Sequence, residues 1–184
     1  LLLRALDVAR ESGDGMGAAI ATTSLGIVAT ALADHAAARA FLGDALELTA
    51  LYGLAHWQGL AASYLAVVAH DAGKTAEARV EYEHALQSLR DVGVRRAEAV
   101  ALAHYASCLI ELGELAAARA AAEAASRLHS QTSPDQVGWA LALLGAIAAL
   151  GGERARADQS FERARRALAE YRRPALSSAL EIYA

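Results

Sequence analysis

Cysteine is almost missing from this chain: Cys108 is the only one in 184 residues. That excludes an internal disulfide framework and suits a reducing compartment. Proline is nearly as scarce, with only Pro134 and Pro174, so little interrupts long helices. Lys74 is the single lysine among seventeen basic residues, a bias that reads as coding composition rather than chemistry. The net charge of -4 gives no electrostatic reason to expect nucleic-acid binding. From Gly17 to Ala33 there is no charge at all. Thr22, Thr23, Ser24 and Thr30 interrupt that run, however, and it falls short of the roughly 20 strongly apolar residues a membrane span needs. The N-terminal leucines lack the basic lead and cleavage site of a secretory signal. The expectation is a cytoplasmic chain with no membrane partner.

Motifs of catalysis are missing too. There is no His-Glu-x-x-His, no paired cysteines and no serine elbow, so no enzyme activity, catalytic residue, metal or cofactor is expected. Gly13 to Gly17, GDGMG, has the glycines of a phosphate loop. It follows a helix and lacks both the preceding strand and the Gly-Lys-Ser/Thr ending, which makes it a turn. Cys108 aligns with Val28, Val68 and Ile147 in the register described next, and so reads as packing.

What is present is a repeat. Ala78, Arg79, Tyr82, Ala85 and Leu86 fall forty residues after Ala38, Arg39, Leu42, Ala45 and Leu46; Ala118, Arg119, Ala122 and Ala125 come forty later, and Ala157, Phe161 and Ala164 thirty-nine beyond those. A fixed period of about 20 to 50 residues means stacked supersecondary units rather than one closed core. With 55% hydrophobic residues, the units are helix pairs: 17–52, 55–91, 94–129 and 134–171. Residues 1–12 form the second helix of a preceding unit and 175–184 the start of a fifth, nine helices and no strands in all. Gly13, Gly53 and Gly93 recur every forty residues as helix terminators. Asp34 is placed to cap the helix from His35, and QTSPD supplies a serine cap with Pro134 at the first helical position.

These pairs resemble tetratricopeptide repeats. Leu25-Gly26, Leu65-Ala66, Tyr105-Ala106 and Leu144-Gly145 match in the first helices, and Gly73, Gly113 and Gly152 at the tight turns. A small residue at each crossing lets helices approach to about 8 Å. The period of about forty, rather than 34, is similar to the repeats of large bacterial signal-transduction ATPases and transcriptional activators. The resemblance implies an all-α, right-handed α-solenoid of stacked antiparallel helix pairs whose first helices line a concave groove. Carried over residue by residue, the groove positions are Ser63, Tyr64, Val67, His70 and Asp71, then His104, Ser107 and Glu111, then Trp139. Leu60, Val100, Ala103 and Ile110 join them, as do Ile20, Thr23, Ser24, Ile27 and Thr30 from the first pair and Ala142, Leu143, Ala146 and Leu150 from the fourth.

Asp71 and Glu111 share one register near helix ends, where the dipole disfavours a carboxylate by about 0.3 to 1 kcal/mol. One reading is an acidic patch for a cationic or hydroxyl-rich ligand; the other is a solvated helix end with Lys74 as counter-ion to Asp71. Trp57 and Trp139 are either aromatic anchors or plugs between repeats. Arg154, Arg156, Arg163, Arg165, Arg166, Arg172 and Arg173 are interleaved with Asp158, Glu162 and Glu170, the pattern of a solvated or intramolecular face rather than of nucleic-acid binding. The function expected is non-catalytic binding of a protein or peptide in the groove, as part of a larger signalling or transcription regulator. The alternative is a sensor domain whose groove holds a small inducer. Other domains of a longer chain are expected partners, and the apolar repeat ends are candidates for homodimerisation.

Overall fold

The computed structural model describes residues 1–170; the expected fifth unit at 175–184 lies outside them. The described residues contain nine α-helices and no strand. They divide into two compact units, Leu1–Ala97 and from Glu98 onward, with the division inside the first turn of α6.

The first unit holds α1 (Leu2–Glu11), α2 (Gly15–Ala31), α3 (His35–Leu51), α4 (Ala55–Asp71) and α5 (Thr75–Val92). Helix α2 packs against α1, α3 and α4. These contacts bury Ala19, Thr22, Thr23 and Leu25, while Met16 and, within the charge-free run, Ile20 and Val28 stay exposed. The helices α3 and α5 each keep one exposed charged face, and there local pairs such as Arg79 with Glu83 (3.1 Å) form. No helix among the described residues is long and apolar enough to cross a membrane.

The turns explain where helices stop. Gly73 and Gly113 both hold φ near +75°, in the left-handed region that spares glycine a Cβ clash. Forty residues before Gly73 the same position is Ala33, at φ +56°. Two helix starts differ by two residues or more from the sequence reading, and the helix from Leu115 runs on to Thr132 rather than ending at residue 129. Helix α2 begins at Gly15, not Gly17, because the Asp14 carboxylate accepts the Gly17 amide at 2.9 Å and so caps the helix earlier. That makes the glycine-rich GDGMG stretch a capped helix start.

The second unit contains α6 (Arg95–Glu111), α7 (Leu115–Thr132), a single 3-10 turn at Pro134–Gln136, α8 (Val137–Leu150) and α9 (Arg154–Glu170). Here is the other difference: the first helix of the fourth pair starts at Val137, after the 3-10 turn. Ser133 does not cap it. Its hydroxyl lies 2.9 Å from Nδ1 of the fully buried His129, one turn back in α7.

Small residues set the crossings within pairs. A Cβ on Gly26 would stand 2.6 Å from the Leu42 side chain, and one on Gly145 2.6 Å from the Phe161 ring. The cores follow these seams. Leu42, Ala45, Ala61 and Val68 share a cluster across α3 and α4, while Leu141, Ala148, Phe161 and Leu168 close α8 on α9.

Candidate functional site

The candidate surface is the inner face of the first helices, taken unit by unit. In the first unit it begins with α4, where positions 60, 63, 64, 67, 70 and 71 make one helical stripe. Tyr64 is half-buried against the α3–α4 cluster, and burial pushes its phenol pKa above 10.0. Ser63 and Val67 are buried. The Ser63 hydroxyl donates to the Leu60 carbonyl at 2.8 Å. His70 is half-buried, with its ring edge-on to Tyr82 of α5 at 6.4 Å between centroids. Asp71 is exposed at the last residue of α4. Lys74 is bound by Glu77 at 3.0 Å, which assigns the lysine to the first turn of α5 rather than to Asp71.

On α2, Thr23 donates to Ala19 O (2.8 Å), Ser24 to Ile20 O (2.8 Å) and Thr30 to Gly26 O (2.9 Å). These hydroxyls and that of Ser63 satisfy the carbonyls of their own helices. In a helix with little access to water this is the cheapest available partner. Ile20 is exposed and Ile27 half-buried, so α2 contributes mainly apolar surface.

In the second unit, His104 of α6 and Trp139 of α8 meet edge to face, with centroids 4.6 Å apart and planes at 71°. Both are half-buried. Offset and edge contacts of this kind suit the quadrupole of an aromatic ring. Ser107 is half-buried and leans on Ala103 O at 3.4 Å, and Glu111 is exposed at the end of α6. Ala142, Leu143 and Ala146 continue the half-buried apolar strip of α8 beyond Trp139, and Leu150 ends it exposed. Trp57, in the first unit, pairs instead with its neighbour His56 at 5.3 Å. Cys108 is buried. No group of three metal-ligating side chains occurs among the described residues.

One feature of the second unit was not read from the sequence. Glu153, just before α9, is held by Arg119 of α7 and by Arg156 at 2.5 Å. The hydrogen bond from Arg156 first, then the charge of Arg119, keeps its carboxyl below 4.5. The signal was available: Arg119 is one of the repeat's register positions, and Glu153 occupies the pre-helix position of Asp34.

No protein-family model matches this chain, and no curated protein matches its sequence. Solved structures do match in fold. RapI in its apo form superposes with a TM-score of 0.78 at 15% identity, over 89% of this chain and 60% of that one. A signal transduction ATPase with numerous domains from Pyrococcus horikoshii, carrying a tetratricopeptide repeat sensor, gives 0.73 at 18% identity, over 100% of this chain and 29% of that one. BtubC (BKLC) from P. vanneervenii gives 0.70 at 16%, over 91% and 78%. The chain thus spans less than two thirds of the first two. The fold is that of a tetratricopeptide-like all-α solenoid.

Proposed function

We propose that this chain is a non-catalytic recognition module that binds a protein or peptide segment along the inner faces of its first helices. It belongs, on this reading, to a larger regulator. The observation that carries the reading is the half-buried pair formed by His104 of α6 and Trp139 of α8. It offers an aromatic edge and an imidazole beside an apolar strip, the composition of a binding hot spot. The fold adds weight, because a Rap protein of similar fold has been solved in complex with Competence and Sporulation Factor (TM-score 0.70, 17% identity, 42% of that chain covered).

The test is a peptide-display selection against the 184-residue chain. Selected binders should lose at least about tenfold in affinity, the 1.4 kcal/mol scale of a modest hot spot, with Trp139→Ala or His104→Ala. They should be unaffected by Arg166→Ala, an exposed residue of α9 paired with Glu162. Binders indifferent to Trp139 and His104 would refute the inner face as the site.

A second reading is a small-molecule sensor, favoured by the tetratricopeptide repeat sensor that the similar ATPase carries. Native mass spectrometry of the purified chain separates the two. A bound small molecule lost on changing Tyr64 and His104 to alanine supports the sensor.

A further inference from the structure

Helix α8 carries no charge and almost no hydrogen-bonding side chain: between Val137 and Leu150 only the Trp139 indole has an N–H to offer. Helix α6 adds little. From Ala99 to Ile110 there is no Asn, Gln, Lys or Arg. The Ser107 hydroxyl leans on Ala103 O at 3.4 Å, and the His104 imidazole stands edge-on to Trp139. Along α8, Trp139, Leu143 and Ala146 are half-buried and Leu150 is 62% exposed. At i, i+4, i+7 and i+11 they share one helical face, an apolar strip about 16 Å long at 1.5 Å per residue.

What such a strip can hold follows from the partner's backbone. A segment lying along it in extended form advances about 3.3 Å per residue and turns a row of carbonyls and amides toward α8. A backbone group that leaves water and finds no partner is a net loss. The indole of Trp139 offsets one of them. The first unit repeats the pattern: beside Ile27 and Val67, the Ser24 hydroxyl donates to Ile20 O and the Ser63 hydroxyl to Leu60 O, both at 2.8 Å. A hydroxyl that donates to its own helix has no proton left for a partner's carbonyl. A helix, in contrast, arrives with its backbone bonds already made.

We infer that the partner segment is an amphipathic α-helix whose stripe against α8 is apolar and uncharged. The inference rests on the reading of this surface as the recognition site, and it names the class of partner. Charge decides the stripe, because a Lys or Glu pressed against α8 would lose its water and meet no counter-charge. Affinity then comes from apolar side chains at i, i+4 and i+7 of the partner, with its charges on the opposite face.

The test runs two display selections against the 184-residue chain, with peptides of about 15 residues, some four helical turns. One library is fixed as helix by lactam bridges between residues four apart. The other carries regularly spaced prolines, which hold it extended. The helical library should yield binders, the extended one none. Leu150→Lys should weaken those binders at least about tenfold; residue 150 is exposed and a cation suits a helix C-terminus, so this variant keeps its fold. A proline placed in the middle of the unbridged peptide should weaken it at least about a hundredfold, the consequence of breaking its helix. Binders that need Trp139 but come from the extended library, or tolerate the proline, would overturn the helix and leave the recognition surface standing. Binders indifferent to Trp139 and His104 would remove the surface itself. The inference also falls if the helical library yields nothing or its binders ignore Leu150→Lys. It falls as well if the peptide-free chain is a dimer that Leu150→Lys returns to monomer, since a second copy would then occupy the strip.

Discussion

Ala33 holds φ +56°, a conformation that costs an L-residue about 1–2 kcal/mol. Its counterparts Gly73 and Gly113 avoid that cost. Ala33→Gly should therefore stabilise the chain, by about 0.5–1 kcal/mol once the greater freedom of glycine in the unfolded chain is set against it. Urea unfolding of the two proteins measures it, and a loss of stability would contradict the strain argument. Tyr64 makes a second residue-scale prediction. Its phenol is raised above 10.0 by burial, so its contribution is complete below that pH. As pH climbs further, the unfolded chain ionises first and stability falls until the folded phenol also titrates. Tyr64→Phe should flatten this alkaline loss, and the difference between the spectrophotometric titrations of the native chain and Tyr64→Phe should be a phenol that ionises late.

Among the elements, the α7–α9 tie through Glu153 sets a pH window of the opposite sign. Its carboxyl is lowered from 4.5 by Arg156 and Arg119. The stability it adds is thus present above the unfolded value and is lost as pH falls through the lowered folded one. The difference in thermal midpoint between the native chain and Glu153→Gln should be flat near neutrality and close up in acid. Because the pair is partly exposed, added salt should shrink it as well. Packing between elements gives a firmer prediction. Gly145→Ala would bring a Cβ to 2.6 Å from the Phe161 ring, and α8 and α9 would have to separate. A loss of about 1–3 kcal/mol is expected, the usual cost of overpacking.

At the scale of the molecule, a repeat array distributes stability by neighbours rather than through one common core. Hydrogen exchange should reveal it: Gly145→Ala should accelerate exchange in α8 and α9 while leaving α2 and α3 close to native. A uniform increase over all described helices would show instead that the chain opens as one cooperative body.

The repeat was legible in the sequence because period and small-residue spacing follow from helix geometry alone. Ala38, Leu42 and Ala45 recur wherever two helices must cross, and the glycine turns recur wherever a pair must close. Ser63, Thr23 and Thr30 were not legible as inward or self-bonded, because a hydroxyl reads the same in sequence whether it faces a ligand or its own helix carbonyl. Lys74 looked like the partner of Asp71 by proximity, yet its rotamer and the start of α5 deliver it to Glu77. Ser133 fitted a cap by pattern, and the buried imidazole of His129 took its hydroxyl instead. The sequence by itself determined the helix pairs and the order in which they pack, since these depend on local periodicity. Only the tertiary structure decided which polar groups remain available, brought His104 to Trp139 and tied Arg119 to Glu153, because those contacts join residues some 34 to 35 positions apart whose side-chain directions no local pattern encodes.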